Sequence, residues 1–191
     1  MAAPKSVLLA AVALGLAVGG HALAQPRYAI GTRATDAQIA GWNIDVAPDG
    51  KNLPPGSGTV ARGKSVYEQA CLACHGARLE GGLGPALAGG QGSLTSAKPF
   101  KTVGSYWPYA TTLFDYIRRA MPFQAPQSLT NDEVYAVTGY VLHANQLLDA
   151  KATVNAATLK SVKMPNRDGF YVDDRPDAKN AACYRDCVKQ P

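Results

Sequence analysis

The pentapeptide Cys71-Leu72-Ala73-Cys74-His75 constrains this chain more than any other feature of its sequence. It has the form C-x-x-C-H, which is the attachment motif for c-type haem. Two thiols at this spacing near a helix end add to the two vinyl groups on one edge of a haem, and the next residue points its imidazole at the iron. The motif occurs once, so the sequence predicts one covalent haem c, with His75 as the proximal iron ligand.

The first 24 residues have the three parts of a secretory signal peptide. Lys5 supplies a positive charge, residues 7–19 form an apolar run, and Ala22-Leu23-Ala24 is a small-x-small cleavage site before Gln25. The apolar run is too short for a membrane-spanning helix, and no later stretch reaches about 18 apolar residues. We therefore expect cleavage after Ala24, a periplasmic location and a mature chain without a membrane span.

The four cysteines allow other interpretations of the motif. A thioredoxin-like redox pair needs a βαβ context, which the sequence lacks. A disulfide between Cys71 and Cys74 leaves His75 unexplained. A four-cysteine zinc site would recruit Cys183 and Cys187, but zinc-binding pairs have tighter spacing than C-x-x-x-C. Since an exported protein meets oxidising conditions, we expect these two tail cysteines to form a disulfide.

The composition bounds the class of protein. The 191 residues are 47% hydrophobic and 17% charged, which excludes a disordered chain and indicates a globular domain. Removal of Lys5 with the signal peptide lowers the formal net charge from +5 to +4. The charge is diffuse and no nucleic-acid-binding motif is present, so we expect no nucleic acid partner. A mild positive surface suits an acidic protein partner.

Helical patterns dominate the chain. Four segments are predicted to be helices: residues 36–43, 59–71, 110–120 and 130–148. Thr35 is a candidate N-cap for the first, and Pro122 stops the third. Thr130 with Glu133 three residues later forms a capping-box pattern for the fourth. No strand pattern is evident, so the sequence predicts an all-α protein.

The domain boundaries follow from the same patterns. Residues 1–24 are the signal peptide, and residues 25–58 are an irregular arm rich in turn signals. The haem domain spans 59–149. Residues 150–191 contain turn residues and few apolar periods, which predicts a tail that wraps around the domain.

The second axial position of the iron has few candidates. Met121 lies in the loop between two predicted helices and is followed by Pro122, which makes it the first choice. A thioether ligand raises the reduction potential relative to a second histidine. Met164 is the rival, although it lies beyond the last predicted helix. His143 falls inside a helix, where a histidine is more often a packing or surface residue.

Residues 59–148 resemble a class I c-type cytochrome. That family places a small residue and an aromatic residue on the helix before the haem motif, which are Gly63 and Tyr67 here. It crosses this helix with a C-terminal helix that bears an aromatic residue, here Tyr140. The resemblance implies a class I cytochrome c fold, with short helices around one covalently bound haem.

The resemblance also covers the stretch Gly84-Pro85-Ala86-Leu87 after the motif. It implies that the Pro85 carbonyl accepts a hydrogen bond from the second ring nitrogen of His75, which orients the imidazole. Aromatic side chains are candidates for lining the haem pocket, because tyrosine and tryptophan can donate to buried propionates. These candidates are Tyr106, Trp107 and Tyr109. Basic residues are candidates for a ring around the exposed haem edge: Lys98, Lys101, Arg118 and Arg119.

A narrower resemblance extends over most of the mature chain. It is similar to the haem subunits of periplasmic sulfite or sulfane dehydrogenases over residues 42–46, 48–50, 98–117, 121–122, 128–130 and 162–167 and in the tail cysteines. In that family a molybdenum-cofactor subunit donates electrons to the cytochrome. The single C-x-x-C-H motif implies the one-haem form.

Electron transfer is the function that these features favour. The resemblance implies that the chain accepts single electrons from a molybdenum-cofactor dehydrogenase subunit in sulfur oxidation and passes them to another cytochrome. The sequence has no nucleophile–base pair, so we expect no catalytic site of its own. The alternatives are a general electron carrier or a catalytic haem protein, peroxidase-like or thiosulfate-oxidising, which needs an open sixth position on the iron.

Overall fold

The computed structural model describes residues 31–173. The signal peptide and the tail cysteines Cys183 and Cys187 lie outside these residues. The chain divides into two units, residues 1–42 and 43–191. None of the helices within 31–173 is long and apolar enough to cross a membrane.

The first unit contains helix α1 (Asp36–Trp42). Thr35 caps it as predicted, because its hydroxyl accepts a hydrogen bond from Gln38 N at 3.3 Å. The Gln38 side chain accepts in return from Thr35 N at 2.8 Å. The helix is one residue shorter than the predicted segment.

The described part of the second unit is dominated by short helices, as the all-α prediction requires. In chain order its elements are β1 (Ser57–Thr59), α2 (Val60–Ala70), α3 (Leu72–His75), a 3-10 turn (Ser93–Thr95), α4 (Ala110–Ala120), α5 (Asn131–Ala144), β2 (Thr153–Asn155) and α6 (Ala156–Ser161).

Local sequence signals place the helix starts. Thr59 caps α2 by accepting from Arg62 N at 3.1 Å. The predicted capping box begins α5, since Thr130 Oγ1 accepts from Glu133 N and the Glu133 carboxylate accepts from Thr130 N. Helix α5 ends at Ala144, four residues before the predicted end. The chain leaves the helix there because Gln146 adopts a positive φ of 62°.

A two-stranded antiparallel sheet corrects the expectation of no strands. Strand β1 pairs with β2 in the register Ser57↔Asn155, Gly58↔Val154 and Thr59↔Thr153. Each strand is three residues long, which is too short to show an alternating pattern in the sequence. The pairing joins the start of α2 to the segment after α5.

The core is built on the crossing of α2 and α5. Gly63 lies so close to Ala136 that a Cβ at this position would fall 2.5 Å from the Ala136 carbonyl carbon. The aromatic rings of Tyr67 and Tyr140 pack beside this contact, with centroids 5.2 Å apart. The three residues that carried the cytochrome resemblance therefore meet at one helix crossing.

The segment after α5 contributes to the same core. Four of its apolar side chains are buried: Val154, Leu159, Val162 and Met164. Residues 153–164 therefore pack against the helices, and they stabilise the domain by removing apolar surface from water.

Candidate haem site

The C-x-x-C-H residues lie on one short helical turn directly after α2. Cys71 is the C-cap of α2 and donates from its backbone N–H to Tyr67 O at 2.9 Å. His75 N donates to Cys71 O at 3.0 Å, which closes the turn of α3. Gly76 then leaves the helix with a positive φ of 80°, a conformation that glycine adopts without strain.

The His75 ring is held on two sides. Its Nδ1 lies 2.8 Å from Pro85 O. Because a carbonyl oxygen only accepts hydrogen bonds, Nδ1 carries the proton in this contact. In the neutral ring with this tautomer, Nε2 is the nitrogen with the lone pair. A Cβ at Gly84 would fall 2.9 Å from His75 Cε1, so the backbone of Gly84 packs against the ring. The contact thus orients the imidazole through Nδ1 and leaves Nε2 available to a metal.

The loop after the motif is pinned back onto it. Gly81 N donates to His75 O and Gly84 N donates to Cys74 O, both at 2.8 Å. The Tyr67 hydroxyl donates to Gly76 O at 2.7 Å, and burial raises the pKa of this hydroxyl. These bonds hold the Gly84-Pro85 segment against the histidine.

The two thiols of the motif are half-buried and unbridged. Burial raises the pKa of the Cys71 thiol to about 11, and the nearby Cys74 adds to this effect. Gln124 Nε2 lies 3.9 Å from Cys74 Sγ. The loop that follows α4 therefore reaches the cysteine that precedes His75.

The two candidate methionine ligands have different surroundings. Met121 is the half-buried C-cap of α4, three residues before Gln124, and its loop therefore lies beside the motif. Met164 is 3% exposed and belongs to the apolar core. His143 binds Leu148 O through Nδ1 at 2.9 Å, which is a local contact at the end of α5.

The predicted pocket-lining aromatics have protein partners. The Trp107 ring meets Tyr116 edge-on, with centroids 5.7 Å apart. Tyr109 is the N-cap of α4, and the Arg167 guanidinium lies 4.2 Å from its ring centroid. Tyr106 packs edge-on against Phe170. Tyr106 and Tyr109 thus contact the segment that follows α6, whereas Trp107 contacts α4. A role of these three residues in lining the haem remains a prediction.

Three of the four predicted edge cations have partners in the structure. The Lys101 ammonium lies 4.9 Å from the Tyr106 ring centroid. Arg118 donates to Ile44 O at 2.8 Å, and Arg119 forms an ion pair with Asp115. The buried Asp115 also accepts from Val46 N at 2.7 Å. Arg118 and Asp115 thus hold residues 44–46 against α4, whereas Lys98 and Lys101 are exposed.

Sequence reasoning missed two polar residues of this region, Asp115 and Asn145. Each binds backbone groups more than 50 positions away in the chain. The signal available for Asp115 was a charged residue within an amphipathic helix, because a charge buried there needs a partner. No local pattern identifies the distant partners.

The residues present fit a covalently attached haem. Two half-buried thiols and an imidazole with a free Nε2 lie on one turn, which is the donor set that haem c requires. Gly84 leaves no room for a side chain beside the imidazole. The fit therefore rests on geometry as well as on the motif.

Comparison with known proteins identifies the family. Residues 60–145 match the family model for cytochrome c. A search of curated protein sequences gives no significant match. The fold is similar to a chain in the crystal structure of the sulfane dehydrogenase SoxCD from Paracoccus pantotrophus, with 41% identity and a TM-score of 0.73. The match covers 84% of this chain and 82% of that chain. With its helix crossing, its haem motif and this similarity, the chain belongs to the class I c-type cytochromes.

Proposed function

We propose that this chain is a periplasmic cytochrome with a single haem c that accepts electrons from a molybdenum-cofactor sulfite or sulfane dehydrogenase subunit. It passes them to another cytochrome. The observation that carries the electron-transfer role is the His75 geometry, in which Nδ1 binds Pro85 O and Nε2 is free. The similarity to the SoxCD structure supports a dehydrogenase partner, and the N-terminal sequence supports export.

The residues of the chain hold the cofactor in defined roles. Cys71 and Cys74 would hold the haem through thioethers, and His75 Nε2 would bind its iron. Pro85 O keeps the imidazole oriented, and Met121 would supply a sulfur ligand to the iron. When bound, haem supplies an iron that cycles between the ferric and ferrous states. The half-buried surroundings of these residues limit solvent access, which is one determinant of the potential.

Covalent attachment is tested by mass spectrometry of the mature protein. We expect a haem adduct on residues 71–75 and an N-terminus at Gln25. A Cys71→Ser, Cys74→Ser double variant should contain no covalent haem. Covalent haem in that variant would contradict the attachment site.

The distal ligand is tested with a matched pair of variants. Met121→Ala should abolish the near-infrared sulfur-to-iron band of the ferric protein and lower its potential. Met164→Ala removes a core side chain, so it should cost about 2–5 kcal/mol of stability but keep the band. The opposite pattern would assign the role to Met164. A high-spin ferric spectrum in the wild-type protein would favour the catalytic alternative instead.

The dehydrogenase partner is tested by purification of the native protein, in which molybdenum should co-purify. If the contact is transient and electrostatic, electron transfer should slow as salt rises from 0.01 to 0.15 M, because the Debye length falls from about 30 to about 8 Å. Charge reversal at Lys98 and Lys101 should then raise the apparent KM. Reversal at Arg118 or Arg119 is unsuitable, because these side chains stabilise the fold.

A permanent complex predicts a different result. Helix α1 exposes Ile39 and Trp42, the latter 89% exposed, and we expect these side chains to contact the partner. Removal of residues 25–42 spares the buried Val46. It should weaken association while haem incorporation persists. Unchanged electron acceptance after this deletion would refute a docking role for the arm.

The tail cysteines are tested separately. Thiol labelling of unreduced, unfolded protein from the periplasm should find neither Cys183 nor Cys187 reactive. Two labelled thiols would show that the pair is not bonded. The loop that they close is short, so we expect a stabilisation of at most about 2 kcal/mol.

A further inference from the structure

Asn145, the residue after α5, is a buried polar side chain with an unusually complete set of partners. It is 2% exposed. Its Nδ2 donates to Leu87 O at 3.0 Å and to Val141 O at 2.9 Å. Its Oδ1 accepts from Gly89 N at 3.2 Å. Gln91 Nε2 donates to the Asn145 carbonyl at 3.2 Å.

The space around this amide is shaped for it. A Cβ at Gly104 would fall 2.6 Å from Asn145 Cγ, so the 102–105 segment packs directly on the amide. Both donors and the acceptor of the side chain are used. Alanine supplies neither function, and serine supplies one donor where asparagine supplies two.

These bonds reach the loop that holds the proposed iron ligand. Leu87 lies two residues after Pro85, whose carbonyl accepts from His75 Nδ1. The other backbone anchors of this stretch are local: Gly84 N binds Cys74 O, and Leu87 N binds Leu79 O. Asn145 is therefore a link between the end of α5 and the Pro85 segment.

We propose that Asn145 is a positioning residue of the haem centre, which keeps the Pro85 carbonyl in place against His75 and thereby sets the reduction potential. The proposal rests on His75 as the proximal ligand. A hydrogen bond from Nδ1–H makes the imidazole a stronger donor to the iron. A stronger donor favours the ferric state, so weakening this bond raises the potential.

The test compares variants of the haem-loaded full chain. Spectroelectrochemical titration of Asn145→Ala should show a positive shift in potential, with the haem content and the sulfur-to-iron band retained. In NMR spectra of the reduced protein, the His75 Nδ1 proton should exchange faster than in the wild type. Asn145→Ser, the milder change, should give an intermediate potential and provides a measurement where Asn145→Ala does not fold.

Tyr135→Phe is the matched control. Tyr135 is a fully buried residue of the same helix, and its hydroxyl donates to Pro54 O at 2.7 Å. The variant loses a buried hydrogen bond away from the Pro85 segment, so its stability should fall while its potential stays unchanged. An unchanged potential and ring-proton exchange in a folded Asn145 variant would overturn the proposal. An equal shift in Tyr135→Phe would also overturn it, by showing a general effect of instability.

Failure of the proposed function has a different signature. If His75→Ala keeps the wild-type low-spin spectrum, His75 is not the ligand and the function proposed above fails with it. If His75→Ala loses that spectrum but the Asn145 variants leave the potential unchanged, only the role of Asn145 is refuted.

Discussion

Substitution of Gly63 by alanine tests whether the α2–α5 crossing determines the stability of this fold. Helix propensity alone favours the change, because alanine is better than glycine in a helix interior by about 1 kcal/mol. The tertiary contact opposes it. The two effects have opposite signs, so the measured change in stability decides which is larger.

The structure provides the magnitude of the opposing effect. The new Cβ would lie 2.5 Å from the Ala136 carbonyl carbon and 2.9 Å from Tyr140 Cβ. Carbon atoms in good contact lie about 3.5–4.0 Å apart, and the Ala136 carbonyl oxygen lies nearer still to the new Cβ. The helices must therefore separate by at least about 1 Å. The obstacle is backbone, which no side-chain rotation relieves. Overpacking lowers the free energy of unfolding by about 1–3 kcal/mol, and the upper value applies to a backbone obstacle. The gain in helix propensity offsets about 1 kcal/mol of this, so we expect Gly63→Ala to lose about 2 kcal/mol of stability.

The assay is urea unfolding of the ferric protein at pH 7, followed by far-ultraviolet circular dichroism. Gly41→Ala is the control, because a Cβ at this position in α1 meets nothing within 4 Å. It should not lower the stability. A Gly63→Ala protein that is as stable as the wild type, or more stable, would refute the inference that this contact limits the helix approach.

Four further substitutions test the helix cap and the buried carboxylate. Thr130→Ala should cost about 1 kcal/mol in urea unfolding, because it removes the N-cap of α5. The Thr130 backbone N–H, followed by its hydroxyl, holds the pKa of Glu133 below its ordinary value of 4.5. The ionised Glu133 carboxylate therefore stabilises the fold at pH values above 4.5. Glu133→Gln should lower the free energy of unfolding at pH 7, and this difference from the wild type should disappear as the pH falls through the lowered pKa of Glu133. Asp115→Ala leaves Val46 N and Arg119 without their partner and should cost about 1–3 kcal/mol, whereas Asp115→Asn keeps an acceptor and should cost less. Equal losses in the two Asp115 variants would contradict this role.

The sequence predicted some helix boundaries well and others poorly. Helix α4 has its predicted bounds of Ala110–Ala120, and α5 begins at its capping box as expected. These features depend on residues within one turn of each other, which a sequence displays directly. The end of α5 was placed four residues too late, because the apolar pattern continues beyond Ala144 while the backbone turns at Gln146. Asn145, the residue after the helix, binds loop 87–91, which lies more than 50 positions earlier in the chain.

The candidate site likewise has features that the sequence predicts and features that only the tertiary structure decides. The motif Cys71 to His75 carries the donor set within five residues, so the sequence by itself determined the cofactor type and the proximal ligand proposed for it. The contact of His75 with Pro85 was expected from the family resemblance, and the structure has it. Which distant segments surround the motif was decided by the tertiary structure. Gln124 reaches Cys74, and Asn145 reaches Leu87, across 50 or more positions of the chain. Contacts at such separations leave no local pattern in a sequence.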